Sequence, residues 1–146
     1  PKSVGSVKLA DANPNSPPLI DPAFLKDERD LDTMLAGVKQ AQQIMQAPSF
    51  DAHRGKALYA GASNDDEELK EDIRNRADTI YHPVGTCKMG PDSDPNAVVD
   101  QRLRVRGIKS LRVIDASIMP KIVSGNTNAP SIMIGEKGAH MILEDA

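Results

Sequence analysis

Apolar residues recur at helical steps of three and four between Glu28 and Ala47, where Leu31, Met34, Leu35, Val38, Ala41 and Met45 form one stripe that stops before Pro48. This spacing predicts a first helix. A second is predicted over Asp65–Ala77, with Leu69, Ile73 and Ala77 on one face and Asn64 with Glu67 spaced as a capping box. Its acidic first turn and basic last turn suit the helix dipole. Upstream, "SVGSVKLAD" alternates weakly from Val4 to Leu9, and "PPLIDPAFL" reads as a second extended piece because prolines at 17, 18 and 22 exclude helix. "RLRVRGIKSLRVID" alternates on both sides of Gly107 and predicts two short strands, and "MPKIVSGNTNAP" predicts a loop. A last helix is predicted from about Ala129 to about Leu143, with Asn128 as N-cap, Pro130 in the first turn, and Ile132, Met133, Ala139 and Ile142 as apolar content. The predicted class is α+β: an antiparallel sheet with helices packed on one face, followed by a strand and a final helix.

Composition narrows the functional classes. With 146 residues the chain has the length of one domain, which on folding buries roughly 70% of its unfolded surface. Its 18 basic and 21 acidic residues give a formal charge of -3, and no basic stripe carries interleaved aromatics, which argues against a nucleic-acid partner. The single cysteine, Cys87, excludes an internal disulfide framework; this suits a reducing, cytoplasmic setting, and equally an exported protein without disulfides. The longest nearly apolar run, "SIMI", is far shorter than the ~20 residues that span a bilayer. Aromatic residues make up only 3% with no tryptophan, so the core must be built from aliphatic side chains and methionine. The chain opens abruptly on "PKSVGSVKL" without an initiating methionine, and is expected to be a piece of something larger.

Two stretches hold the candidate chemistry. "YHPVGTCKMG", Tyr81–Gly90, raises three roles for His82: proton carrier, metal ligand, or space-filling residue. The last is the commonest for a histidine beside a proline. A metal needs partners, and Cys87 is not at zinc-site spacing from His82, while His53 and His140 lie in ordinary loop and helix settings, so no metal is expected. "GTCKMGP" has phosphate-loop glycines without the Lys-Ser/Thr that follows them, and no G-x-G-x-x-G occurs. Cys87 has only Lys88 beside it to favour a thiolate and reads as a small buried hydrophobe. The second stretch, "SGNTNAPSIMIGEK", is either a polar loop capping a helix or a helix start whose partial positive charge can hold an electron-rich oxygen, with Asn126 just outside it as a donor.

Taken in order, "YHPVGTCKMG", "VVDQRLRVRGIKSLRVIDASIMP" and "SGNTNAPSIMIGEK" resemble the C-terminal part of the glucose-methanol-choline (GMC) oxidoreductases, flavin-dependent alcohol dehydrogenases and oxidases. "PKSVGSVKL", "PPLIDPAFL" and the acidic "DERDLD" helix start also resemble that family's substrate-binding segment. The resemblance implies that residues 1–108 form a substrate-binding domain and residues 109–146 a strand, loop and helix that complete the flavin site. It implies FAD, held mainly by an N-terminal glycine-fingerprint domain that this chain lacks. His82 matches the catalytic histidine, which accepts the proton of an alcohol whose carbon gives hydride to the flavin. Asn126 matches the second active-site position and is implied to hydrogen-bond the substrate oxygen. Asp115 and Ala116 match positions lining the flavin, and Asn128, Ala129 and Pro130 match the helix start beneath its pyrimidine ring. The implied substrate is a primary alcohol, either choline or an aliphatic alcohol; oxidase and dehydrogenase are left undivided, as is association of the whole enzyme with the inner membrane. The implied partners are the small-molecule alcohol and the N-terminal FAD domain, and the chain alone is expected to be inactive and to self-associate through exposed apolar surface. The rivals are a non-catalytic interaction module of the same fold and a small metal protein using His82 and Cys87.

Overall fold

The computed structural model describes residues 1–146, apart from the side chain of Ala60. It is α+β, and its packing divides the chain into Pro1–Asp78 and Thr79–Ala146.

The first unit opens with an antiparallel ribbon in which β1 (Ser6–Lys8) pairs with β2 (Leu19–Asp21), Val7 opposite Ile20. All six residues are exposed, so the ribbon is held by its ladder and by its ends rather than by a buried face. Gly5 is required at its entry, because a Cβ there would lie 2.1 Å from the Asp21 carbonyl oxygen. Helices α1 (Glu28–Met45) and α2 (Asp66–Arg76) follow and pack on one another. The apolar stripe explains the contact: Leu31 and Leu35 of α1 are buried with Leu69 and Ile73 of α2, and Leu25, Val38 and Ala77 close the edges. Met34 and Met45, on the margins of the same stripe, stay exposed. The N-terminal segment is tied to α1, whose Asp30 carboxylate accepts from the backbone N–H groups of Lys2 and Ser3, both at 2.7 Å.

Helix α1 starts at Glu28 as expected, and the start of α2 differs in detail from expectation. The N-cap of α2 is Asp65, not Asn64: its carboxylate accepts from the N–H groups of Glu67 at 2.9 Å and Glu68 at 3.0 Å. Asp27 caps α1 in the same way through Arg29 N–H.

The second unit has little regular structure before its last helix. The two strands expected around Gly107 are instead isolated bridges, Val99 to Val105 and Arg104 to Arg112. The reason is conformational: Leu103, Gly107 and Ser110 all have φ near +60 to +77°, which breaks an extended run three times in eight residues. The Asp100 carboxylate fixes the first break by accepting from the N–H groups of Arg102 and Arg104. Around these turns lies the core, with Val99, Leu103, Ile118, Met119 and Ile134 buried and Val84, Met89 and Ile114 packed against it. Helix α3 (Asn128–Glu144) joins this core through Gly138, where a Cβ would stand 2.4 Å from Ile114 Cγ2. At its far end the Asp145 carboxylate collects the guanidinium groups of Arg102, Arg104 and Arg112.

Candidate active site

His82 sits in a backbone that leaves it few conformations. Tyr81 before it takes φ of 63°, a left-handed value unusual for an aromatic residue, and Pro83 after it confines His82 to extended geometry. Val84 then anchors in the core, and Gly85 turns at φ +87°, where a Cβ would come 3.3 Å from the Met119 carbonyl oxygen. Beyond the turn, Cys87 N–H donates to Ser117 carbonyl at 3.0 Å and Met89 N–H to Ile118 carbonyl at 2.8 Å, so the segment is stitched to the Ala116–Ile118 3-10 turn. Lys88 adds an ion pair with Asp94 at 2.8 Å, and the Asp94 carboxyl is held below its ordinary range first by that lysine and then by Asn96 N–H.

The imidazole is half-buried, and its Nδ1 lies 2.9 Å from Thr127 Oγ1. Thr127, rather than the expected Asn128, is the residue from which α3 starts, and Asn128 is already helical. Its hydroxyl makes no capping bond to the helix. The hydroxyl is committed to His82, and the first turn is closed by Ser131, whose N–H and Oγ both reach the Thr127 carbonyl, at 3.0 and 2.6 Å. Asn126, exposed, immediately precedes Thr127. The structure therefore brings the "HPVG" and "NTNAP" stretches to one place, with Thr127 as the joint; no hydrogen bond links the side chains of His82 and Asn126 among the described residues.

The remaining predicted site residues fall in two places, the first turn of α3 and the opening of the 116–118 turn that packs on that helix. Asn128 and Ala129 are exposed and Pro130 is half-buried in the first turn of α3, where the missing proline N–H costs no helical bond. Asp115 is exposed with its carboxylate accepting from Ser117 N–H at 2.7 Å, so it caps the 3-10 turn, and Ala116 packs partly into the core. Thr127 is the site residue that sequence reasoning passed over. Its only signal was a hydroxyl residue between Asn126 and Asn128, ordinary for a helix start. Among the described residues no group of three or more His, Cys, Asp or Glu side chains could hold a metal, and no helix is long and apolar enough to cross a membrane.

The family model of the GMC oxidoreductases matches residues 1–135. The chain belongs to this family. Among its GMC relatives, an alcohol dehydrogenase [acceptor] of Pseudomonas putida is 53% identical over 98% of this chain and 26% of its own length. The human mitochondrial choline dehydrogenase is 48% identical over 96% of this chain and 24% of its own. Among solved structures, pyridoxine 4-oxidase from Mesorbium loti superposes with a TM-score of 0.88 at 34% identity, over 96% of this chain and 27% of that one. The chain thus spans about a quarter of the length of the GMC proteins it matches. Membership in the family supports an oxidoreductase role, carried in those relatives by a protein that includes much more than this segment.

Proposed function

We propose that this chain is the substrate-binding and proton-accepting segment of an FAD-dependent alcohol dehydrogenase that oxidises a primary alcohol, aliphatic or choline, to the aldehyde. The observation that carries the reading is the meeting of His82 with the start of α3. One imidazole nitrogen is taken by Thr127, so the other, Nε2, is left to receive the hydroxyl proton of an alcohol. Asn126, one residue before Thr127, supplies a carboxamide donor for the same oxygen as it gains negative charge. Residues 1–108 contribute to the alcohol pocket and residues 109–146 to the flavin side.

The residues at the start of α3 fit a flavin ring. Gly125 faces open space, Asn128 and Ala129 are small and exposed, and the helix presents the positive end of its dipole, which suits an electron-rich ring carbonyl. Asn128, Ala129 and Pro130 would lie against the ring, with Asp115 and Ala116 at its edge. When bound, FAD would take the hydride from the alcohol carbon. The chain's own task is to hold the alcohol, remove its proton and keep the oxygen in place.

The test is a chimera in which this chain replaces the matching C-terminal quarter of the Pseudomonas putida alcohol dehydrogenase. Alcohol-dependent dye reduction is expected, with His82→Ala lowering kcat by about 10²–10⁴-fold and Asn126→Ala by about 10²-fold. Undiminished turnover in His82→Ala refutes the base, and a folded chimera without alcohol-dependent turnover favours the interaction-module reading.

A further inference from the structure

Resting on His82 as the base, we infer that Thr127 is a positioning residue that fixes the imidazole tautomer: its hydroxyl oxygen accepts from Nδ1–H, so that the Nε2 lone pair faces the alcohol. The contact is 2.9 Å between Thr127 Oγ1 and His82 Nδ1, and either atom could formally donate across it. The two arrangements have opposite chemistry. If the hydroxyl donates, the neutral ring must carry its proton on Nε2, and no lone pair is left to accept the alcohol's. If Nδ1–H donates, Nε2 is free.

The cycle as a whole selects the second arrangement. Once Nε2 has taken a proton, the ring is a cation with N–H donors on both nitrogens. A threonine that already accepts from Nδ1 keeps the same hydrogen bond through that step, and the bond strengthens as its donor becomes charged. A threonine that donates would face a second donor and have to rotate away at the moment of proton transfer. An acceptor placed in advance avoids that reorganisation.

The surroundings leave the hydroxyl available for this role. Thr127 stands at the N-cap position, where a hydroxyl ordinarily accepts from helix N–H groups, yet it makes no such bond. Its backbone is nonetheless fixed, because the carbonyl receives both the N–H and the hydroxyl of Ser131. A side chain held at the end of a helix but excused from capping it is a rigid mount for a ring that arrives from a loop 45 positions earlier.

The experiment uses ¹⁵N-histidine labelling and long-range ¹H–¹⁵N correlation, which distinguishes the two tautomers by their ring-nitrogen shifts. Spectra are taken on this chain and on the chimera above, with His82→Gln assigning the signal. At pH values where the ring is neutral, the expected pattern is Nδ1–H in the native chain, a shift of most of the population to Nε2–H in Thr127→Val, and return to Nδ1–H in Thr127→Ser. In the chimera Thr127→Val lowers kcat about tenfold or more with KM for the alcohol changed less than about twofold, and Thr127→Ser restores it. A native Nε2–H ring, or a tautomer unmoved by Thr127→Val, overturns the inference. Turnover that survives His82→Ala defeats the underlying function instead, and leaves the tautomer result standing on its own.

Discussion

At the scale of single residues, one tight constraint away from His82 is the approach of α3 to Ile114. A methyl group added at Gly138 would fall 2.4 Å from Ile114 Cγ2 and 2.9 Å from its Cδ1, so Gly138→Ala must displace a helix or a half-buried side chain. The expected cost is about 1–3 kcal/mol, read as a lowered urea midpoint, even though alanine is the better helix former. Combining it with Ile114→Ala should cost less than the sum of the two single changes, because the clash and the cavity cancel; strict additivity would show that they do not touch. Residues of this kind divide sharply in how far they can be read. His82 and Asn126 stand inside distinctive strings, so their candidacy was visible. Gly138 looked like any helical glycine, and Thr127 like any cap, since what each does depends on a partner brought in by the tertiary fold.

At the scale of elements, local pattern was enough for the helices and for the two extended pieces that became β1 and β2, and not for the strands expected around Gly107. The stripes of α1 and α2 named their own core, and Leu31, Leu35, Leu69 and Ile73 are indeed buried together. The exact caps escaped because "SNDDE" offers several competent oxygens in a row. Asp65 prevails with a carboxylate that reaches two N–H groups at once, which also favours it electrostatically over a neutral asparagine. Asp65→Ala should therefore destabilise α2 by about 1 kcal/mol, whereas Asn64→Ala should stay within about 0.5 kcal/mol of the native chain. Equal effects in chemical denaturation would return the cap to Asn64. The region 102–115 failed as strands for a reason no alternation can reveal: positive φ at Leu103 and Ser110 is imposed on residues that carry no intrinsic preference for it.

At the scale of the whole molecule, charge and surface govern behaviour. Carboxylates in both units are held low by specific partners: Asp27 to about 2, chiefly by the Arg29 side chain, and Asp30, chiefly by Ser3, in the first. In the second, Asp145 is lowered by Arg104, then Arg112 and Arg102, and Glu144 is lowered first by Arg102. A carboxyl lowered on folding contributes stability that is complete above its ordinary value, 3.8 for these aspartates, and is lost as pH falls through the folded value. The urea midpoint should thus hold above about pH 5 and fall steeply between about pH 4 and pH 2. Asp145→Asn should blunt the fall, and about 0.5 M salt should blunt it too, because these pairs are exposed to solvent. A flat acid limb would mean that the arginine cluster contributes nothing.

Surface area leads to the last prediction. The chain exposes 11014 Å². Two fully separate compact globules of half its mass would expose roughly 8,800 Å² together, so the excess does not depend on how the two units are placed. It is also apolar in part: Val4, Leu9, Ile80, Ile132, Met133 and Leu143 are each at least 58% exposed. Such a surface is what remains when a segment is shaped against the rest of a larger protein, as the quarter-length matches within its family suggest. The isolated chain should accordingly bind an apolar dye, and in sedimentation its mean mass should climb above 15.7 kDa as concentration approaches about 100 μM. The chimera should bind less dye per molecule, since the same side chains are then covered. A dye-silent monomer across that range would show that the exposed side chains do not drive association, and would weaken the case that a partner domain belongs on them.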